Sequence, residues 1–261
     1  MEQTTTKMLK IERHMKIVDW LAEHAGSAHV SQLSEMLEVS PITIRRDVAE
    51  LARQGMVTST RGGVMLLRPG TTFEPVYHAK LGEETEAKDR IAKAAVALIH
   101  NGETILLDGG TTVGAMARHL LSRNLTVATN ALNVVNVLSK ARGIELIMIG
   151  GVFRDTSQAF LGPIAYSTLR RLHFDWVLLG TESIDLERGL EVPDGNDAEF
   201  KRLAVQAGER VIVLATSTKL GQARLYRVSD WTAVDYLITS KGFPASTQSV
   251  LQEKGVEVLV V

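Results

Sequence analysis

The chain has 261 residues, a net charge of −1 from 29 Lys+Arg and 30 Asp+Glu, and no cysteine. Without thiols there is neither a disulfide framework nor a thiolate metal site, and the near-neutral balance excludes a strongly basic nucleic-acid coat. No apolar run suits a signal peptide or reaches the length of a membrane span, so a cytoplasmic location is expected.

In chain order, a first helix is expected over Lys7 to His24, with Ile11, Met15, Val18 and Leu21 as its apolar face. Ser31 can cap a short helix, Gln32 to Glu38, that turns Leu33, Met36 and Leu37 inward. After a turn at Val39-Ser40, Ser40 can cap the next helix and Pro41 suits its first position, where a missing N–H costs nothing. Residues 30–49 thus form a helix-turn-helix. Ile44, Val48 and Leu51 at i, i+4 and i+7 make its apolar stripe. Ile42, Arg46 and Arg53 turn roughly opposite, with Thr43 and Arg45 on the flanks. Two β-prone runs around Arg61-Gly62-Gly63 suggest a hairpin wing, completing a winged helix-turn-helix over residues 1–67. Taken alone, Arg45-Arg46 suits a solvated face of any three-helix domain as well as a DNA-reading helix. Residues 1–68 balance at only +1, so DNA affinity has to come from local placement of cations.

Arg68-Pro69-Gly70-Thr71-Thr72 is a turn-rich break that opens a linker, 68–86, ahead of an α/β domain, 87–261. Glu84 to His100 reads as an amphipathic helix through Ile91, Ala95 and Leu98. Strands over residues 104–108, 125–129, 144–149, 176–179, 211–215, 236–239 and 256–261 alternate with helices over 113–121, 132–141, 198–207 and 245–253. A less regular stretch separates 144–149 from 176–179, and no helix is expected between 211–215 and 236–239. Continuous Ile/Leu/Val strands separated by helices argue for a mostly parallel sheet covered on both faces. The strand ends carry Asp108-Gly109-Gly110-Thr111-Thr112, Thr129-Asn130, Gly150-Gly151, Gly180-Thr181-Glu182 and Thr216-Ser217-Thr218-Lys219. In an open α/β sheet that edge binds ligands. Gly109 to Thr112 opens a helix whose free N–H groups can hold a phosphate, although the same residues also make an ordinary strand-to-helix turn. Dinucleotide and nucleotide-triphosphate motifs are absent, and no cofactor is expected. The seven histidines show no paired ligand spacing, so no metal is expected.

Ser40-Pro41-Ile42-Thr43-Ile44-Arg45-Arg46-Asp47-Val48, with Leu51, Gly55 and Gly62-Gly63, resembles the N-terminal signature of the DeoR family of bacterial transcriptional regulators. The resemblance implies that Ser40, Pro41, Thr43, Arg45 and Arg46 read or position on DNA, with Arg61 on the wing. In the wing, Ser59 stands where the family usually has Arg, and Arg61 where it has His. Downstream, Lys88 with Ile91-Ala92, Leu107 to Thr112, Thr129-Asn130, Gly150-Gly151, Gly162, Asp175, Gly180, Ile184-Asp185, Gly189, Glu199 with Lys201, and Lys219 resemble the family's C-terminal sensor. That sensor is similar in fold to ribose 5-phosphate isomerase. The resemblance implies a phosphorylated sugar or related metabolite as effector. Thr216 replaces the Asp of the usual Asp-Ser-Ser-Lys, which removes one carboxylate, and Ser183 replaces a Gly beside the additional acid Glu182.

On this reading Gly109, Gly110, Thr111 and Thr112 cradle a phosphate and Lys219 neutralises it. Asp108, Asn130, Asp185 and Glu199 orient sugar hydroxyls or the carbonyl end, and Lys201 is a second phosphate partner. Glu199 and Lys201 equally suit surface charge on a helix's first turn. Self-association as a dimer or tetramer would place two reading helices on double-stranded operator DNA. The alternative is an isomerase-like enzyme that moves a proton between two sugar carbons through Asp185, Glu199 and Lys219. The cationic helix and wing argue against it, because an isomerase has no use for them.

Overall fold

The computed structural model describes residues 9–24, 27–66 and 71–261. The break at Arg68-Pro69-Gly70 and the expected helix start at Lys7 lie outside the described residues. The chain divides into two compact units, 1–73 and 74–261.

In the first unit, helix α1 (Lys10–Glu23) is followed by strand β1 (Ser27–His29), α2 (Val30–Met36), α3 (Pro41–Arg53) and the hairpin β2 (Val57–Thr60) and β3 (Gly63–Leu66). β3 pairs antiparallel with both β2 and β1, giving a three-stranded wing sheet with one strand more than expected. Ile17, Leu21, Leu33, Leu37, Ile44, Val48, Leu51, Val57 and Val64 close a small core. The α1 face agrees with expectation at Leu21, which is buried, and Val18, which packs against the core. It differs elsewhere: Ile17 is buried, whereas Ile11 is 58% exposed and Met15 only half-buried. The reason is polar: Arg13 and His14 share the inward side of α1 with Ile17, and both reach Asp47 of α3. Arg13 Nε donates to Asp47 Oδ2 at 2.6 Å, and His14 Nε2 lies 3.2 Å from Oδ1. α2 begins two residues earlier than Ser31 would set it, with His29 at the cap and its N–H on Gln32 Oε1. Gly63 lies against β1 so closely that a Cβ there would stand 2.7 Å from the Ala28 carbonyl oxygen.

In the second unit α4 (Tyr77–Leu81) and α5 (Thr85–Leu98) lead into β4 (Thr104–Leu107), α6 (Thr111–Leu120), β5 (Leu125–Thr129), α7 (Leu132–Leu138) and β6 (Ile144–Met148). The hairpin β7 (Val152–Arg154) and β8 (Ala159–Leu161) comes next, then α8 (Pro163–Leu169), β9 (Phe174–Gly180), β10 (Ser183–Asp185) and β11 (Gly189–Val192). The chain ends with α9 (Gly195–Gln206), β12 (Gly208–Ala215), β13 (Tyr226–Ser229), β14 (Tyr236–Thr239), α10 (Ala245–Glu253) and β15 (Glu257–Val260). Residues 74–86, expected in the linker, belong to this unit, and Tyr77 and Lys80 are buried in it.

Seven strands form one parallel sheet in the order β15-β14-β12-β9-β4-β5-β6. Burial on both faces is written in alternate residues of the central strands. Val177, Leu179, Val211 and Val213 pack in one core with Phe200 and Trp231. Trp176, Leu178, Ile212 and Leu214 pack in the other with Ile91, Val113 and Met116. From β4 the chain runs outward through β5 to β6, then returns to β9 on the opposite side of β4. That reversal opens a crevice between the carboxyl ends of β4 and β9, where an open α/β sheet holds its ligand.

Candidate functional site

The crevice is a cleft of about 800 Å³, including its open mouth. Its floor follows from the sheet. Beyond β4, buried Asp108 accepts from the Gly180 N–H at 3.1 Å and from Lys201 Nζ, tying the ends of β4 and β9 to α9. Gly109 to Thr112 line the cleft, and Gly110, at φ +108, is the N-cap of α6. This backbone favours glycine. With no side chain capping it, the first turn of α6 turns unpaired N–H groups and the positive end of its dipole to the cleft.

Four lysines and five carboxylates line the same space: Lys80, Lys88, Lys201, Lys219, and Glu74, Glu83, Glu84, Glu182, Asp197. Lys201 Nζ bridges Asp108 and Asp197, the latter at 3.3 Å. Burial would lower the Lys201 pKa, but the two carboxylates outweigh it and raise it. Burial, with Asp108 and Glu74 adding repulsion, pushes the Asp197 carboxyl up to about 7 against the opposing pull of Lys201. Glu182 accepts from Lys80 Nζ at 2.6 Å and Lys219 Nζ at 2.8 Å. Burial alone would raise its carboxyl; the two ammonium groups instead hold it at about 2. Lys88 donates to the Lys80 carbonyl, and burial lowers its pKa.

The expected sugar-binding residues separate on inspection. Gly109, Gly110, Thr111, Thr112, Lys201 and Lys219 line the cleft together. Asp108 lies beneath it, and Asn130 is buried outside the lining, donating to the Phe160 carbonyl at 3.2 Å. Asp185 is not in the cleft: its Oδ1 accepts from the N–H groups of Glu187 and Arg188 and closes the β10–β11 turn. Glu199 is also outside, 3.2 Å from Arg202. Two residues apart on a helix is a 200° turn, so with Lys201 facing inward Glu199 faces away. The carboxylate expected to be missing beside Thr216 is present. Glu84 supplies it, accepting from the hydroxyls of Thr216 at 2.7 Å and Thr218 at 3.0 Å.

Lys80, Glu83, Glu84 and Asp197 were not expected in the site. For Lys88 and Lys201 a signal was present in the pattern. Lys88 occupies the apolar stripe of α5 with Ile91, Ala92 and Ala95, and Lys201 that of α9 with Ala198 and Ala204. A lysine at a core position marks a paired buried charge.

In the first unit, Ser40 Oγ accepts from the Thr43 N–H at 3.3 Å, and Pro41 holds the first position of α3. Arg45 and Arg46 are exposed, as are Ile42 on the same helix and Arg61 at the tip of the β2–β3 hairpin. Among the described residues neither Arg45 nor Arg46 has an ion-pair partner, whereas Arg53 lies 3.8 Å from Glu50.

Two family models match the chain: the DeoR-like helix-turn-helix domain over residues 13–69 and the DeoR C terminal sensor domain over 83–241. A protein of Escherichia coli O157:H7 named as an aga operon transcriptional repressor is 38% identical over 252 residues, 96% of this chain and 93% of that protein. The glycerol-3-phosphate regulon repressor of Escherichia coli K12 is 30% identical, covering 96% and 99%. Ribose 5-phosphate isomerase A from Methanocaldococcus jannaschii matches 54% of this chain and 56% of its own at 16% identity, with a TM-score of 0.40. With both family models in order along one chain and relatives aligned end to end, the chain belongs to the DeoR family of DNA-binding transcriptional regulators.

Proposed function

We propose that this regulator is a repressor of carbohydrate-metabolism genes, that its cleft binds a phosphorylated sugar or related metabolite, and that binding changes its hold on operator DNA. The observation that carries the reading is the first turn of α6, open to a cleft that also holds four lysines at the sheet's reversal point. Backbone N–H groups, threonine hydroxyls and ammonium groups suit a phosphate, while Glu84 and its two threonines suit sugar hydroxyls. The similarity to a glycerol-3-phosphate regulon repressor agrees with a phosphorylated effector.

On the DNA side, Arg45 and Arg46 supply phosphate contacts and a bidentate guanine contact, with Ser40, Pro41 and Thr43 fixing the start of the helix and Arg61 reaching from the wing. Two copies of the chain place two such helices on a repeated or palindromic site. The regulator works in the cytoplasm, where its operator is. Arg170 and Arg202 hold Glu199, and a turn holds Asp185, so two of the three groups that proton transfer would use lie outside the cleft.

A thermal-shift series of the full chain with phosphorylated and unphosphorylated sugars tests the cleft. At least one phosphorylated sugar is expected to raise Tm where its unphosphorylated form does not. Thr112→Val is expected to lose that shift while keeping the wild-type melting temperature without ligand. An undiminished shift in the variant contradicts the phosphate assignment.

A further inference from the structure

Each lysine of the cleft is already engaged within the protein: Lys201 by Asp108 and Asp197, Lys88 by a backbone carbonyl, Lys80 and Lys219 by Glu182. Among the described residues, Glu182 is the only one of these carboxylates that bridges two lysines from different elements, one on α4 and one after β12. Its side chain is 14% exposed and lines the cleft itself. Lys88 offers an ammonium bonded only to a backbone carbonyl, but at Lys80 and Lys219 an incoming anion meets a carboxylate already seated between the two ammonium groups. Resting on the reading of this cleft as a phosphate-ester site, we infer that Glu182 is an internal counter-ion that ligand phosphate must displace, and is thereby the residue that sets the site's selectivity for charge.

The physical basis is exchange. A phosphate dianion brings two charges and three acceptor oxygens to lysines that give up one carboxylate, so the exchange is favourable. A neutral sugar has nothing to offer the lysines and leaves the bridge closed. A monoanion exchanges one charge for one and gains little. Glu182 thus raises the threshold for every anion and raises it least for a dianion. The alternative within the same cleft is that the anion sits on the α6 first turn alone and the Lys80–Glu182–Lys219 bridge stays shut.

Inorganic phosphate is the probe, titrated against the full-length protein at constant ionic strength and pH 8, with acetate as the monoanion and Tm or calorimetry as readout. Glu182→Gln frees both ammonium groups, and its affinity for phosphate is expected to rise about tenfold over wild type. Acetate affinity is expected to rise at least as much, narrowing the preference for the dianion. Glu182→Asp keeps the charge but is one methylene too short to span both lysines. It is expected to fall between the two, and serves if the glutamine variant does not fold. Unchanged or weaker phosphate binding in folded Glu182→Gln and Glu182→Asp overturns the displacement model. The two readings fail separately: if no sugar phosphate binds wild type while phosphate still binds Glu182→Gln more tightly, the effector reading fails and the counter-ion role stands.

Discussion

Glu182 and Asp197 line one cleft, yet their carboxyls move in opposite directions: burial raises both, but two ammonium groups outweigh it at Glu182, whereas Asp197 shares a single lysine with a second carboxylate. The consequences for stability have opposite sign. Glu182, lowered to about 2, adds stability that is fully present above the ordinary carboxylate range and lost as pH falls toward 2. Asp197, raised to about 7, takes up a proton on folding, so its contribution is greatest in acid and is lost as pH rises through 7. Asp197→Asn removes the second dependence. The difference in Tm between variant and wild type is therefore expected to shift in the variant's favour between pH 5 and pH 8. Melting curves at those two pH values check it, and a constant difference contradicts the raised Asp197. At this scale the sequence revealed the donors better than the acceptors. Gly109 to Thr112, Lys201 and Lys219 sit at strand ends or in a helix stripe, where spacing shows them. Asp185 and Glu199 also sit near strand or helix ends, but a turn and two arginines claim their side chains. No spacing rule shows which neighbour a carboxylate will choose.

At the scale of elements, α3 is anchored from behind by a polar pair as well as an apolar stripe. Asp47 is 3% exposed and accepts from Arg13 Nε and Nη2 while facing His14; burial would raise its carboxyl, but Arg13, with a smaller pull from His14, draws it below the usual range. Asp47→Ala leaves Arg13 without that partner on α3 and is expected to cost about 3 kcal/mol. Chemical denaturation followed by Trp20 fluorescence measures it. Arg46→Ala removes an exposed cation with no structural partner, so it is expected to leave stability unchanged and weaken operator binding by about 1–3 kcal/mol per copy. Gel-shift titration gives that loss, and wild-type affinity refutes α3 as the reading helix. Elements with a full period in their residues were legible: β5, β14 and α10 have the bounds the sequence suggests. β10, β11 and β13 were not, because Ser-Ile-Asp, Gly-Leu-Glu-Val and Tyr-Arg-Val-Ser lack the adjacent buried apolar residues that mark β5 (Val127-Ala128) and β14 (Leu237-Ile238). In α1 Val18 and Leu21 face the core as expected, but Ile11 and Met15 do not, because inward positions there are taken by the ion-pairing side chains Arg13 and His14.

For the whole molecule, the proposed control is linkage between a cleft in residues 74–261 and a reading helix in residues 1–73. A metabolite can change operator affinity only by as much as it prefers one DNA-binding state over the other, and DNA must change metabolite affinity by the same factor. The two-unit plan was legible from the composition break, while the start of the second unit was not. α4 carries Lys80 into the cleft from a stretch of five helical residues, too short to show a period. The most direct test measures operator affinity of the full chain with and without the sugar phosphate that gives the largest thermal shift. The account predicts a change of at least about fivefold, mirrored by an equal change in sugar-phosphate affinity when operator is added. A metabolite that occupies the cleft, stabilises the protein and leaves operator affinity untouched would contradict it.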